Sequence, residues 1–120
     1  MNRGVSCGIY TTNTVEACEH ILNDCKSPIV VVENKQQLDK ILKCIENGNT
    51  FIKTVIQYEG IVEDSHDSLV KSWNEFIDFG DDITDEMMVE RIKTIAPNKC
   101  STLIYTVSFL FVYNRSKIRL

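Results

Sequence analysis

The segment Ile29-Val-Val-Val32 is the clearest indication of the fold class of this chain. It is an uninterrupted run of β-branched residues, which favours a β-strand. Such a run is typical of a strand in a parallel sheet that helices cover on both faces. Asn34 and Gln37 follow at the spacing of a capping box, which predicts that a helix begins directly after the strand. A strand that leads at once into a helix predicts an α/β fold.

Strands and helices alternate on both sides of this central strand. Upstream, residues 5–11 predict a strand, and Asn13 with Glu16 predicts the N-terminal cap of a helix. Downstream, Asn47-Gly48 ends the second helix and residues 54–58 predict a third strand. The apolar stripes expected to face the core on these two helices are Val15, Cys18, Leu22 and Cys25, then Leu38, Ile41, Leu42 and Ile45.

The second half of the chain continues the alternation. Ser72 with Glu75 predicts a short helix after an acidic loop, and Thr84 or Asp85 predicts the start of another helix. Residues 101–106 predict a fourth strand. The first of these helices is expected to bury a stripe of Trp73, Phe76 and Ile77, and the second carries Met88, Val89, Ile92 and Ile95. This order predicts a three-layer α/β fragment with a short, mostly parallel sheet flanked by helices.

Length and composition limit the chain to one domain of ordinary globular character. It has 120 residues, 43% of them hydrophobic and 25% charged, and a formal net charge of −4. The negative charge argues against a nucleic-acid partner, because phosphate backbones attract basic surfaces. Five cysteines, with no CxxC motif and no apolar leader, are expected to be reduced and buried in an intracellular protein. No stretch reaches the roughly 20 apolar residues of a transmembrane helix.

Seven short segments carry a resemblance to a known family. They are Gly8-Ile-Tyr-Thr-Thr-Asn13, Glu16-Ala-Cys18, Val31-Val-Glu-Asn34, Leu38-x-x-Ile-Leu42, Ile56-Gln-Tyr58, Ser72-Trp-x-Glu-Phe76 and Leu103-Ile-Tyr-Thr106. In this order and spacing they closely resemble the AMP-forming acyl-CoA synthetases, and the nearest branch is the bubblegum-type long-chain fatty-acid–CoA ligases. The resemblance implies that residues 1–106 are part of the AMP-binding N-terminal domain.

The resemblance implies a two-step ligase reaction for the intact family. A fatty acid and ATP with magnesium give an acyl-adenylate and pyrophosphate, and coenzyme A then displaces AMP to form the thioester. The implied cofactors of the full-length family are thus ATP, Mg²⁺ and CoA. The family's phosphate loop reads Tyr-Thr-Ser-Gly-Thr-Thr-Gly-x-Pro-Lys-Gly, and only Tyr105 and Thr106 match it here. No catalytic or metal-binding residue is identified in this chain.

The glycines and the lysine of that loop do not follow Thr106, so the chain alone is expected to be inactive and to use no cofactor. Backbone N–H groups converge on a phosphate only where glycines let them approach, and a lysine and a metal add the needed charge. The simpler interpretation of Tyr105 and Thr106 is the polar end of a strand. Two other interpretations stay open. One is a non-catalytic fragment that associates with a full-length ligase through its uncovered sheet edge. The other is an unrelated small α/β binding or signalling domain.

Residues 107–120 depart from the family pattern and form a separate apolar and basic tail. Residues 109–113 are aromatic and uncharged, which indicates aggregation if they are exposed. The three basic residues within 115–119 favour weak attachment to an anionic membrane surface, although a basic end without any selected role is the simpler interpretation. Val107-Ser108 is what translation of an unspliced GTAAGT donor site would give, which leads to the hypothesis that the tail is translated intron. The expected location is intracellular, either cytoplasmic or peripheral to a membrane.

Three further groups of polar side chains have simple structural interpretations. Cys18 and Cys25 lie on the apolar helix stripe while His20 points away from it, which favours core cysteines and a surface histidine over a metal site. His66 stands in an acidic loop in which nothing fixes the geometry of ligands. Thr11-Thr12-Asn13 lies at the carboxyl end of the first strand, where open α/β sheets place ligands, but its expected role as a helix cap already explains it.

Overall fold

The computed structural model describes residues 4–48, 51–62 and 68–106, and its elements alternate in the order of an α/β fold. The strands are β1 (Ser6–Gly8), β2 (Ile29–Val32), β3 (Thr54–Gln57), β4 (Val70–Ser72) and β5 (Thr102–Ile104). The helices are α1 (Val15–Cys25), α2 (Lys35–Glu46), α3 (Trp73–Asp78) and α4 (Asp85–Lys93). The predicted fold class, short parallel sheets flanked by helices, is confirmed.

The strands form two small parallel sheets. β1 pairs with β5, and β3 lies between β2 and β4. In the second sheet Val30 is in register with Val55, and Val55 is in register with Val70. β4 was missed by sequence reasoning, because it is three residues long and continues directly into a helix cap at Ser72. β1 and β5 are also shorter than the strands predicted over residues 5–11 and 101–106.

Most of the helix starts are where the capping patterns place them. The Asn34 side chain accepts a hydrogen bond from Gln37 N at 3.2 Å, and α2 begins at the next residue. Ser72 and Glu75 form a complete capping box at α3, in which the Glu75 carboxylate accepts from Ser72 N at 2.7 Å. Thr84 caps α4 by accepting from the backbone of Met87. Short-range capping chemistry is therefore a dependable guide to where these helices begin.

The predicted cap of α1 was wrong by one residue. Thr14, rather than Asn13, has extended backbone angles and accepts from Ala17 N at 3.3 Å, so the helix begins at Val15. Asn13 instead closes a turn, in which its backbone N–H donates to the Tyr10 carbonyl at 3.0 Å. Either polar residue can cap a helix, and the turn decides which of them reaches the first orphan N–H group.

The hydrophobic core lies between α1, α2 and one face of the three-stranded sheet. Its buried members are Cys18, Leu22, Val30, Val32, Leu38, Ile41, Cys44, Ile52, Val55 and Val70. The predicted stripes of α1 and α2 supply Cys18, Leu22, Leu38 and Ile41 to this core. Burial of such side chains contributes on the order of 1.5–3 kcal/mol each, so this half of the molecule supplies most of its hydrophobic stabilisation.

The expectation that β2 is covered on both faces was wrong. Val30 and Val32 point into the core, but Ile29 and Val31 on the other face are each 52% exposed. A continuous β-branched run favours a strand through the shape of its side chains, whether or not a second layer covers it. The run therefore predicted the strand correctly and its surroundings incorrectly.

The apolar residues of α3 and α4 are also exposed. Neither helix contains a buried residue, which corrects the predicted buried stripe of Trp73, Phe76 and Ile77. Trp73 and Phe76 contact each other, with ring centroids 5.7 Å apart. The exposed residues of α4 and of the turn after it, Met88, Val89, Ile92 and Ile95, are called here the α4 apolar face. Periodicity predicted amphipathic helices, and the described residues supply no layer that buries them.

Two expectations concern residues outside the described ranges. The apolar and basic tail over 107–120 is one of them, and the acidic loop with His66 is the other. Within the described residues, no helix combines the length and the hydropathy that crossing a membrane requires.

Candidate functional site

Tyr105 and Thr106, the predicted start of a phosphate loop, directly follow β5 at the carboxyl end of the β1–β5 sheet. Two contacts hold this sheet together at its beginning. Ser6 N donates to the Ser101 carbonyl at 3.0 Å, and the hydroxyls of Ser6 and Thr102 are 3.0 Å apart. Because β1 and β5 are parallel, their carboxyl ends share one edge, which is where α/β sheets commonly bind ligands. The pair therefore lies directly after the end of a strand, as the simpler interpretation of these two residues expects.

The Tyr105 hydroxyl is engaged by a carboxylate. It donates a 2.5 Å hydrogen bond to Asp24 Oδ2 near the end of α1. This bond, with a smaller contribution from the negative charge of Asp24, raises the pKa of Tyr105 to about 12. The contact fastens β5 to α1. It also places a negative charge beside the residue that would begin a phosphate site.

The space beside Tyr105 lacks the chemistry that holds a phosphate. A pocket of about 300 Å³ is lined by Gly8, Ile9, Tyr10, Thr102, Leu103, Ile104 and Tyr105. None of these seven residues is basic, and most of the lining is apolar. Phosphate sites need several backbone N–H groups and cations that converge on the anion. Thr106, the last described residue, is exposed at the end of this strand.

A larger cleft lies between β1 and the neighbouring edge of β2. Its volume is about 440 Å³, and it extends under the loop that joins β1 to α1. Its polar and titratable lining residues include Cys7, Cys25, Glu33, Gln37, Lys40 and Tyr58. The apolar lining comes from both strands and from the core faces of α1 and α2. The cleft separates the two sheets, since β1 and β2 are not paired with each other.

Lys40 in α2 is the basic residue of this cleft. Its ammonium group donates to the Thr11 carbonyl at 2.6 Å and to the Asn13 carbonyl at 3.2 Å. The β1–α1 loop therefore presents carbonyl oxygens to a cation at this point. A phosphate-binding loop has the opposite polarity, because it presents N–H groups to an anion. Lys40 stabilises the loop, and these two hydrogen bonds use two of the three N–H donors of its ammonium group.

The suggested metal ligands do not come together. Cys18 is buried, His20 is exposed, and the Cys25 thiol is half-buried and directed to the Leu22 carbonyl at 3.8 Å. Burial raises the pKa of Cys18, which is typical of a thiol that belongs to the core. Within residues 4–48, 51–62 and 68–106, no group of three or more His, Cys, Asp or Glu side chains is arranged to hold a metal ion.

Gln57 is a polar residue of this region that sequence reasoning did not single out. It ends β3, is only 3% exposed, and donates through Nε2 to the Glu59 carbonyl at 2.6 Å. Its Oε1 atom is buried and accepts no hydrogen bond in the described part of the chain. The signal in the sequence was an amide side chain in the apolar strand Thr54–Gln57. Since buried polar groups are normally hydrogen-bonded, an amide in a buried strand indicates a specific contact.

Comparisons with known proteins identify the relatives of this chain. It is 41% identical over 103 residues to the long-chain-fatty-acid–CoA ligase ACSBG2 of Xenopus laevis, and equally identical to that of Gallus gallus. It is 35% identical to ACSBG2 of Homo sapiens. Each match covers 86% of this chain, but the chain spans only 13–15% of these relatives. No family model matches the chain, and no solved structure matches it.

Proposed function

We propose that this chain, which is homologous to one segment of the long-chain-fatty-acid–CoA ligase family, does not activate a fatty acid by itself. The parent reaction we propose is the ATP-dependent formation of an acyl-adenylate, followed by transfer of the acyl group to CoA. The 41% identity over 103 residues supports the parent reaction. In this proposal residues 1–106 are part of the AMP-binding domain, and the parent role belongs to intracellular fatty-acid metabolism.

The surroundings of Tyr105 support the proposed lack of activity. Its hydroxyl is bonded to Asp24, and the adjoining pocket has no basic lining residue. Adenylate formation depends on electrostatic stabilisation of the phosphates by convergent donors and cations. Two hydroxyl side chains beside a carboxylate do not supply that stabilisation. Tyr105 and Thr106 are therefore proposed as the first edge of a nucleotide site that other residues would have to complete.

Calorimetry with ATP and magnesium tests this proposal directly. The purified 120-residue chain is expected to give no heat of binding and to form no acyl-adenylate from a long-chain fatty acid. The full-length Xenopus laevis relative, measured under the same conditions, is the positive control. Acyl-adenylate formation by this chain, in a preparation free of contaminating ligase, would overturn the proposal.

A chimera tests whether the homology is functional. The homologous segment of the Xenopus laevis ligase is replaced by residues 4–106 of this chain, so that the remaining ligase supplies the missing groups. We expect adenylate formation to survive within about tenfold, which is about 1.4 kcal/mol of transition-state stabilisation. The same chimera with Leu22→Ala is a control that should lose activity through misfolding. A folded but inactive chimera would contradict the assignment of this segment to a ligase.

A second candidate function is a non-catalytic interaction with a full-length ligase. The observation that favours it is the α4 apolar face, whose members are each about half exposed. Exposed apolar faces of this kind mark surfaces that another chain covers. The free edge of the β1–β5 sheet offers a second point of attachment.

Co-purification with the full-length relative tests this second function. We expect the tagged chain to retain the ligase, and Ile92→Lys to weaken the association by placing a charge on the α4 apolar face. Glu90→Gln is a matched control, because it also raises the net charge of α4 by one unit but leaves the face intact. Equal retention by all three proteins would exclude this face as the contact.

A further inference from the structure

Cys7 and Cys25 are brought together by elements that are distant in sequence. Cys7 lies in the middle of β1, and Cys25 is the last residue of α1. Both are free, half-buried cysteines that line the 440 Å³ cleft. The Cys25 side chain also contributes to raising the pKa of Cys7, so the two thiols interact. The two cysteines therefore share one cleft and influence each other across it.

Contacts of β5 also link β1 to the end of α1. Cys7 is in register with Leu103, and Tyr105 follows two residues later. The Tyr105 hydroxyl contacts Asp24, which is adjacent in sequence to Cys25. Strand pairing at one end and the phenol–carboxylate bond at the other thus hold β1 beside the end of α1.

We propose that Cys7 and Cys25 form a reversible intramolecular disulfide by exchange with small disulfides such as oxidised glutathione. The Cys25 thiolate attacks one sulfur of oxidised glutathione, which breaks its S–S bond and releases one glutathione thiolate. Cys7 then loses its proton to solvent and attacks the Cys25 sulfur, which releases the second glutathione. The two thiols are oxidised by two electrons in total, and one glutathione disulfide is reduced to two thiols.

The order of attack follows from the surroundings of the two thiols. Burial, and then the neighbouring Cys25, raise the pKa of Cys7 and disfavour its thiolate. A raised pKa makes Cys7 a poor first nucleophile, so we assign it the second step, the attack on the mixed disulfide.

A second cysteine pair provides an internal comparison. Cys18 in α1 and Cys44 in α2 belong to one core cluster and are 3% and 0% exposed, although Cys18 also borders the cleft. Burial, with Cys18 as the next contribution, raises the pKa of Cys44 to about 11. Reactivity requires both a thiolate and access, so this pair is expected to stay reduced under conditions that oxidise Cys7 and Cys25. The proposal therefore predicts that oxidation is selective for Cys7 and Cys25 over Cys18 and Cys44.

Peptide mapping of the full chain tests the proposal without any substitution. The chain is incubated with oxidised glutathione, quenched in acid, alkylated, digested and analysed by mass spectrometry. We expect a linked peptide that contains Cys7 and Cys25 and disappears on treatment with dithiothreitol, while Cys18 and Cys44 are alkylated. A stable glutathione adduct on Cys25 without linkage, or a Cys18–Cys44 link, would overturn the proposal.

Two variants sharpen the result. Cys100→Ser removes an exposed thiol that could link two chains, and the Cys7–Cys25 link should persist in it. Cys7→Ser removes the resolving thiol, so Cys25 should keep a glutathione adduct. The link closes a loop over residues 7–25, so oxidation should raise the urea midpoint of Cys100→Ser but not that of Cys7→Ser. A rise in both variants would contradict the assignment of the stabilisation to this link.

Discussion

The helices α2 and α4 share the same pattern of cap and apolar residues, but they differ in what surrounds them. Each begins with a side-chain cap, Asn34 in one and Thr84 in the other, and each carries apolar residues at helical spacing. α2 buries Leu38, Ile41 and Cys44 against α1 and the sheet, whereas α4 buries none of its residues. Periodicity thus specifies a helix with two faces, while burial depends on a partner layer elsewhere in the fold.

This contrast divides the molecule into a packed part and an exposed part. In the packed part, α1 and α2 cover the β2–β3–β4 sheet and share one core. In the exposed part, α3 and α4 contribute no buried side chain. We expect the packed part to determine the free energy of unfolding, because hydrophobic stabilisation follows the apolar area removed from water.

The largest expected difference comes from matched truncations in the two parts. Leu22, 1% exposed, and Ile92, 52% exposed, are both aliphatic residues of helices. Leu22→Ala should lower the free energy of unfolding by about 2–5 kcal/mol, which is enough to unfold a chain of modest stability. Ile92→Ala should change it by less than about 0.5 kcal/mol. Urea denaturation followed by circular dichroism measures both values.

Equal losses of stability in the two variants would contradict the division into a packed and an exposed part. They would mean that α4 is packed in solution, for instance against a second copy of the chain. Repeating the measurement at several protein concentrations separates the two cases, since packing between copies makes the urea midpoint depend on concentration.

A smaller difference is expected when the two helix caps are removed. Asn34→Ala removes the acceptor for Gln37 N and should lower the free energy of unfolding by about 1 kcal/mol. Thr84→Ala removes the equivalent bond to Met87 N, but α4 is not part of the core, so only α4 should fray. Hydrogen exchange should show faster exchange confined to α4, with an unchanged global urea midpoint. A shift of that midpoint in Thr84→Ala would show that the two parts unfold together.

The smallest expected effect concerns the contact between α1 and the residue that follows β5. The bond to Asp24 favours the protonated phenol of Tyr105 and raises its pKa from 10.0 to about 12. The contact should therefore stabilise the fold fully below pH 10 and lose this effect as the pH rises through 12. Asp24→Ala should return the pKa of Tyr105 toward 10.0, measured by ultraviolet absorbance of the phenolate. Asp39→Ala, on the exposed side of α2, is the matched control, and an identical titration in both variants would refute the contact.

Much of the fold could be predicted from the sequence because its signals are local. The β-branched run of β2 and the caps at Asn34 and Ser72 act within a few residues, and all of them lie where they were predicted. The cap of α1 was predicted at Asn13 but lies at Thr14, because the backbone of Asn13 is part of a turn. The three-residue strand β4 carries too little pattern for any period to be recognised.

The surroundings of the elements could not be predicted in the same way. The exposed face of Ile29 and Val31 and the α4 apolar face depend on which layers are present, and periodicity contains no information about that. Sequence reasoning placed Tyr105 near the end of a strand, and it follows β5 directly. Its bond to Asp24 joins residues 81 positions apart, and no local pattern encodes such a partner.

The pairing of β1 with β5 has a consequence for synthesis of the chain. Ser6 and Thr102, which meet in this sheet, are 96 residues apart. A ribosome therefore releases the first strand long before its hydrogen-bonding partner exists, while α1, β2, α2 and β3 can already assemble behind it. Nascent chains that stall before residue 102 should display an unsatisfied strand edge at their amino terminus, a feature that chaperones recognise and that invites misassembly.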